Sequence, residues 1–123
     1  MPTRPLRVLI VDDDPSLIDV LERGFSDAGL EVVAHTTFEG ARQALRSDRF
    51  DALLTDVRLG AFNGLQLAVV ARDTYPDIRI VVFSGFDDPV TFDRRQVVAG
   101  WLADHISSCA EPSFARLARR PIT

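Results

Sequence analysis

Short β-branched runs alternate along this chain with longer segments whose apolar residues recur at helical spacing. That alternation belongs to repeated strand-helix units around a mainly parallel sheet. The first strand is expected from Arg7 to Asp12, after which Asp14 and Pro15 read as the N-cap and first residue of a helix. Leu17, Leu21, Phe25 and Ala28 then trace one buried stripe until Gly29 stops the helix. Glu31 to His35 is a second strand, and Phe38 to about Arg46 a second helix with Phe38, Ala41, Ala44 and Leu45 on one face. Asp51 to Thr55 is nearly continuously apolar, as a strand covered on both sides is, and Asp56 lies at its carboxyl end. A loop of small residues from Gly60 to Gly64 leads to a third helix through Leu65, Ala68 and Ala71, ended near Tyr75 by Pro76. Ile78 to Phe83 is the fourth strand, closed by Ser84 and Gly85. Asp88 and Pro89 open a fourth helix to about Val98, Trp101 to Ala103 make a short fifth strand, and Ser113 caps a last short helix through Leu117 to Arg120.

Composition sets the limits. With 123 residues, 46% of them hydrophobic, the chain is expected to form one domain over residues 1–123, its core spanning about 6–120. Cys109 stands alone, so neither a disulfide nor a cysteine metal cluster supports the fold, and a reducing cytoplasm fits. Apolar stretches such as Val8 to Val11 and Leu67 to Ala71 fall far short of the ~20 residues of a membrane span. Asp12 ends the first apolar run before it reaches signal-peptide length. A net charge of -4 argues against a nucleic-acid footprint. All 14 basic residues are Arg; there is no Lys.

Right-handed crossovers with helices on both faces make a doubly wound (βα)5 parallel sheet the economical α/β fold, flavodoxin-like with strand order 2-1-3-4-5. In that order Asp12, Asp13 and Asp14 end the first strand directly beside Asp56 at the end of the third. Ligands bind such sheets outside the carboxyl ends of the strands. Carboxylates held that close raise one another's pKa unless a cation neutralises them, and a hard divalent ion, Mg²⁺ or Mn²⁺, suits oxygen ligands. Capping accounts for Asp14 alone. It does not account for Asp12, Asp13 and Asp56 together with Ser84 on the neighbouring strand.

The stretches VLIVDDDP, LLTDVRLGAFNG and IVVFSGFDDP, with the aromatic of GWL, resemble in order and spacing the signature blocks of the response-regulator receiver domain of two-component signalling. The resemblance covers about residues 6–120. It implies that Asp56 accepts a phosphoryl group from a sensor histidine kinase or a phosphotransfer protein. It further implies that Asp12, Asp13 and Asp56, with the backbone carbonyl of Arg58, hold Mg²⁺. Ser84 would bind a phosphoryl oxygen, Gly85 would leave Asp56 open to a bulky donor, and Trp101 would be the aromatic that follows Ser84 inward. Gly64, eight residues after Asp56, matches the family's glycine, where a tight turn is expected.

One family position is altered. Receivers carry a Lys three residues after the switch aromatic; here Asp104 stands there, followed by His105. That exchange alters the local charge by two units, which weakens phosphoryl binding and favours a more tightly held or additional metal. The interval from Ser84 to Trp101 is also about two residues shorter than usual, and Gly60 stands where Pro is common. Arg58 reads as a solvated loop residue, with the phosphate as its alternative target. His35 and His105 read as ordinary histidines, Cys109 as a structural thiol, and Arg94, Arg95, Arg116, Arg119 and Arg120 as solvated helix faces.

The leading expectation is a cytoplasmic single-domain response regulator, not an enzyme. It would signal by protein contact, with no direct nucleic-acid or membrane partner and with no output domain following the receiver. A homodimer would use the face that the family builds from its fourth helix, fifth strand and fifth helix. The alternative is a degenerate receiver acting as a phosphorylation-independent binding module. A haloacid-dehalogenase-type phosphatase using Asp12 and Asp14 would also want a Lys and more chain.

Overall fold

The protein's computed structural model describes residues 5–59, 61–83 and 113–114. A five-stranded parallel sheet forms its centre, built from β1 (Arg7–Val11), β2 (Glu31–His35), β3 (Ala52–Asp56), β6 (Arg79–Phe83) and β7 (Ser113–Phe114) in the order β2-β1-β3-β6-β7. A separate hairpin of β4 (Arg58–Leu59) and β5 (Phe62–Asn63) follows β3. The helices are α1 (Pro15–Asp27), α2 (Phe38–Ser47) and α3 (Gly64–Thr74).

Period-two alternation divides the core into two layers. Val8, Ile10, Ala52, Leu54 and Val81 pack with α1 residues Leu17, Leu21 and Phe25 on one face. Leu9, Val11, Leu53, Ile80 and Val82 pack with Ala41 and Leu45 of α2 and Leu67 and Ala71 of α3 on the other. Strands covered on both faces need apolar side chains in both phases, which is why β1 and β3 read as continuous apolar runs. Pairing of Val8 with Ala52 and Val11 with Thr55 brings the carboxyl ends of β1 and β3 level.

Asp14 caps α1 by accepting the Ser16 amide at 3.0 Å, with Pro15 in the first turn. Gly29, at φ 87°, takes the left-handed conformation that ends the helix. Ala28 is the exposed C-cap and leaves the expected buried stripe. Asn63 fixes the phase of α3 through a capping box, in which its side chain accepts the Leu65 amide at 2.7 Å and its amide donates to Gln66 at 3.0 Å. From that start Gly64, Leu67 and Ala71 face inward. Leu65 is exposed as a result.

The parallel doubly wound order is as expected, with two differences in its parts. The Gly60 to Gly64 segment is not a plain loop, because β4 and β5 pair antiparallel there with Arg58 opposite Asn63 and Leu59 opposite Phe62. Ser113 does not cap a helix: Ser113 pairs with Val81 and Phe114 with Val82 along the edge of β6. A cap requires a helical segment directly after it, whereas the N–H and C=O groups along a sheet edge can be satisfied by any extended segment. The expected fifth strand at Trp101 to Ala103, the fourth helix from Asp88 and the helix through Leu117 to Arg120 lie outside the described residues.

The amino ends of the strands are tied by Arg7. Its guanidinium bonds Glu31 at 2.6 Å and Asp48 at 2.7 Å and lies 5.1 Å from the Phe50 ring centre. The hydrogen bond from Arg7 holds the Asp48 carboxyl below the usual carboxylate range. This clamp leaves the opposite, carboxyl edge to the acidic residues.

Candidate functional site: an acidic crevice at the carboxyl ends of β1 and β3

Asp12 follows β1 directly, and its residue is 2% exposed. Its amide donates to the His35 carbonyl at 3.2 Å, which continues the β1–β2 ladder by one bond and fixes where the side chain starts. One carboxylate oxygen, Oδ1, accepts the Asp14 amide at 2.8 Å. The other, Oδ2, is buried and has no hydrogen-bond partner. Burial pushes the Asp12 carboxyl up to about 7, the Asp14 amide bond pulls it down, and the charges of Asp56, Asp13 and Asp14 add to the rise.

Asp56 ends β3 in register with Phe83, half-buried, while Asp13 is exposed. One carboxylate oxygen from each of Asp12, Asp13 and Asp56 lies within 4.8 Å of the others. The expected convergence of these three is therefore present. Asp14, by contrast, is engaged in capping α1.

Three carboxylates so close are unfavourable when all are charged, and the buried, partnerless Oδ2 adds a desolvation cost. A divalent cation relieves both at once. The donor set is wholly oxygen, which suits a hard ion such as Mg²⁺, Mn²⁺ or Ca²⁺ rather than a thiolate- or imidazole-seeking one. The residues present thus fit a metal ion.

The backbone around Asp56 is fixed by Thr55 and Gly64. Thr55, fully buried, donates its hydroxyl to the Asp56 carbonyl at 3.0 Å. The Gly64 amide donates to the Val57 carbonyl at 2.6 Å, closing the base of the hairpin. A Cβ on Gly64 would lie 1.9 Å from the Asp56 carbonyl oxygen. Gly64 is therefore needed for close approach of backbone to backbone. The expected tight turn is not the reason, since Gly29 is the only positive-φ residue among those described.

Antiparallel pairs alternate between bonded and non-bonded registers. With the Val57–Gly64 register bonded, Arg58 and its partner Asn63 fall in a non-bonded one, so the Arg58 carbonyl points away from β5. The sequence did not reveal this, because the hairpin carries no Asn-Gly or Asp-Gly turn and its strands are two residues each. Ser84, Gly85, Trp101 and Asp104 lie outside the described residues. No helix among the described residues is long and apolar enough to cross a membrane.

Fold and site together define a parallel α/β domain that presents a cluster of acids at the carboxyl edge of its central strands. The chain belongs to the response regulator receiver domain family, whose model matches residues 8–107. It is 32% identical over 81 residues to the DNA-binding transcriptional regulator NtrC of Proteus hauseri, a match covering 66% of this chain and 17% of that protein. It is 37% identical over 83 residues to the response regulator MprA of Mycobacterium avium (strain 104), covering 67% of this chain and 36% of that one. The matched region is thus a minor part of both relatives.

Among solved structures, a response regulator of Burkholderia pseudomallei with a phosphorylated aspartic acid, calcium ion and citrate superposes at TM-score 0.64 with 22% identity, covering 89% of this chain and 59% of that one. The response regulator TrrA of Thermotoga maritima, in complex with Mg²⁺ and BeF, gives TM-score 0.63 with 23% identity over 89% of this chain and 86% of that one. These likenesses show the fold. Receiver domains are signalling domains, generally not enzymes.

Proposed function

We propose that this chain is a cytoplasmic receiver that accepts a phosphoryl group on Asp56 from the phosphohistidine of a sensor histidine kinase or phosphotransfer protein, and passes on its state by protein contact. The observation that carries this reading is the grouping of Asp12, Asp13 and Asp56 within 4.8 Å, with one buried Asp12 oxygen unpartnered. Asp12 and Asp13, with Asp56 and the outward-facing carbonyl of Arg58, would hold Mg²⁺ or Mn²⁺. Such an ion would supply positive charge against the negative charge of a phosphoryl group in transfer.

The chain's own part is positioning. Asp56 supplies the attacking carboxylate oxygen, and a P–O bond forms as the P–N bond of the donor breaks. Thr55 and Gly64 fix the Asp56 backbone so that this oxygen does not wander. Ser84 follows directly on Phe83, which is in register with Asp56, and its hydroxyl would hold a phosphoryl oxygen. Gly85, having no side chain, would leave the approach open, and Trp101 would move with Ser84 as the phosphorylated state is populated. Dimerisation would use the family's face of fourth helix, fifth strand and fifth helix.

Asp104, in a chain without Lys, favours a second reading. There the acidic site is retained, but the protein binds its partner independently of phosphorylation. Fluorescence of Trp101, the only tryptophan, separates the two. In the first reading Mg²⁺ with beryllofluoride changes the emission and Asp56→Asn abolishes the response. An emission that ignores beryllofluoride, in a protein that still binds Mg²⁺, supports the binding module and refutes the first reading.

A further inference from the structure

Strands β4 and β5 have two residues each, too few to sustain a hairpin in water. Its base is held by the Gly64–Val57 bond, and its second arm by the capping box on α3. The far end is secured differently. Leu59 and Phe62 are directly cross-strand and so share one face of the hairpin. Leu59 is buried, whereas Phe62 is 51% exposed, and the Phe62 ring stacks on Phe38 with centroids 4.6 Å apart and planes inclined by 14°.

Phe38 is the first residue of α2, and its position is itself tied to the acidic crevice. Thr37 caps α2 by accepting the Gly40 amide at 3.1 Å, and Gly40 packs so closely on His35 that a Cβ there would lie 2.9 Å from its Nδ1. The His35 carbonyl accepts the Asp12 amide at 3.2 Å. A ring of contacts thus runs from Asp12 through His35, Thr37 and Phe38 to Phe62, and through the hairpin to Val57 and Asp56. Farther back the two stretches share one core layer, in which Leu59 of the hairpin and Ala41 and Leu45 of α2 are buried together; the aromatic stack is the contact between them at the exposed rim.

We infer that Phe38 and Phe62 are positioning residues for the metal site. Their stack holds the hairpin in the conformation that presents the Arg58 carbonyl beside Asp56, and so sets the affinity for a divalent cation. The inference rests on the reading above that this carbonyl is a ligand. A half-exposed phenyl ring adds little to the core, so a role in placing the hairpin explains its location better than general stability does. The coupling is reciprocal: an ion that binds only the formed hairpin also favours the stack.

A double-mutant cycle on Mg²⁺ binding, measured by titration calorimetry on the full chain, tests this. Aromatic stacking of this kind corresponds to roughly a two- to tenfold change in an equilibrium constant. Phe62→Ala and Phe38→Ala should each weaken Mg²⁺ binding by about that factor, and the double variant should be no weaker than either one. Phe62→Tyr, which keeps the stack and leaves its hydroxyl in water, should bind as the unsubstituted chain does, while Phe62→Leu should resemble Phe62→Ala. Urea unfolding of Phe62→Ala in chelator should be nearly unchanged, which separates placement of the ligand from loss of fold. Unaltered affinities, or single effects that multiply in the double variant, overturn the inference. Failure of the unsubstituted chain to bind Mg²⁺ overturns the proposed function itself, and is told apart because it needs no substitution.

Discussion

Asp12→Asn is the substitution whose effect on stability the structure specifies most fully. Asp12 is 2% exposed, its carboxyl has one unpartnered oxygen, and burial raises that carboxyl to about 7 from an ordinary value of 3.8. Without metal, the folded state therefore holds a proton that the unfolded state has released between about pH 4 and pH 7. The sign follows: as pH rises through that window the folded state loses stability, fully so above about pH 7. A shift of this size corresponds to at most about 4 kcal/mol. Asn keeps the Oδ1 acceptor for the Asp14 amide and replaces the second, buried oxygen with an uncharged amide group, so no charge is buried at any pH. In chelator, Asp12→Asn should therefore match the unsubstituted protein near pH 4 and exceed it above pH 7. With a urea slope of ~1.5 kcal/mol/M, the midpoint should rise by up to about 2–3 M. Urea unfolding followed by far-UV circular dichroism at several pH values measures this. A variant with the same decline in stability from pH 4 to pH 7, or one less stable at pH 8, refutes the reasoning.

Other consequences are simpler to measure. Gly64→Ala places a Cβ against the Asp56 carbonyl, so α3 or β3 must shift; we expect a loss of at least about 2 kcal/mol in urea unfolding, and weaker Mg²⁺ binding in calorimetry. Phe25→Ala empties a fully buried site under α1 and should cost about 3–5 kcal/mol, with Mg²⁺ affinity unchanged in whatever fraction remains folded. Arg7→Ala should return the Asp48 carboxyl upward toward its ordinary range, as read by carboxyl carbon NMR. Because Asp48 is lowered in the folded state, its contribution is present at neutral pH and lost as the solution becomes acidic. The stability difference caused by Arg7→Ala should therefore shrink on acidification.

Much of this architecture was legible in the sequence because the burial that organises it is periodic. Strands covered on both faces appear as unbroken apolar runs, and β1 and β3 were located that way to within a residue. Asp14-Pro15 and Gly29 marked the ends of α1, since each solves a local backbone problem that few other residues solve. The acidic crevice was legible for a similar reason: fold order alone brings the ends of β1 and β3 together. What escaped depends on contacts distant in sequence. The β4–β5 hairpin follows from the Gly64–Val57 bond and the Phe38–Phe62 stack. The apolar spacing of α3 admits two phases, and the Asn63 capping box selects the one that buries Leu67 and Ala71 and leaves Leu65 exposed. Ser113 misled because capping and edge pairing draw on the same small polar residue.

The central claim is that Asp56 becomes an acyl phosphate only when the crevice around it holds a divalent cation. Incubation with acetyl phosphate, rapid borohydride trapping and peptide mass analysis test it, since borohydride reduces an aspartyl phosphate to homoserine. Homoserine at position 56 that requires Mg²⁺ and is lost in Asp12→Asn is the predicted result. Equal trapping with and without Mg²⁺, trapping at another aspartate, or none with any divalent ion would contradict it.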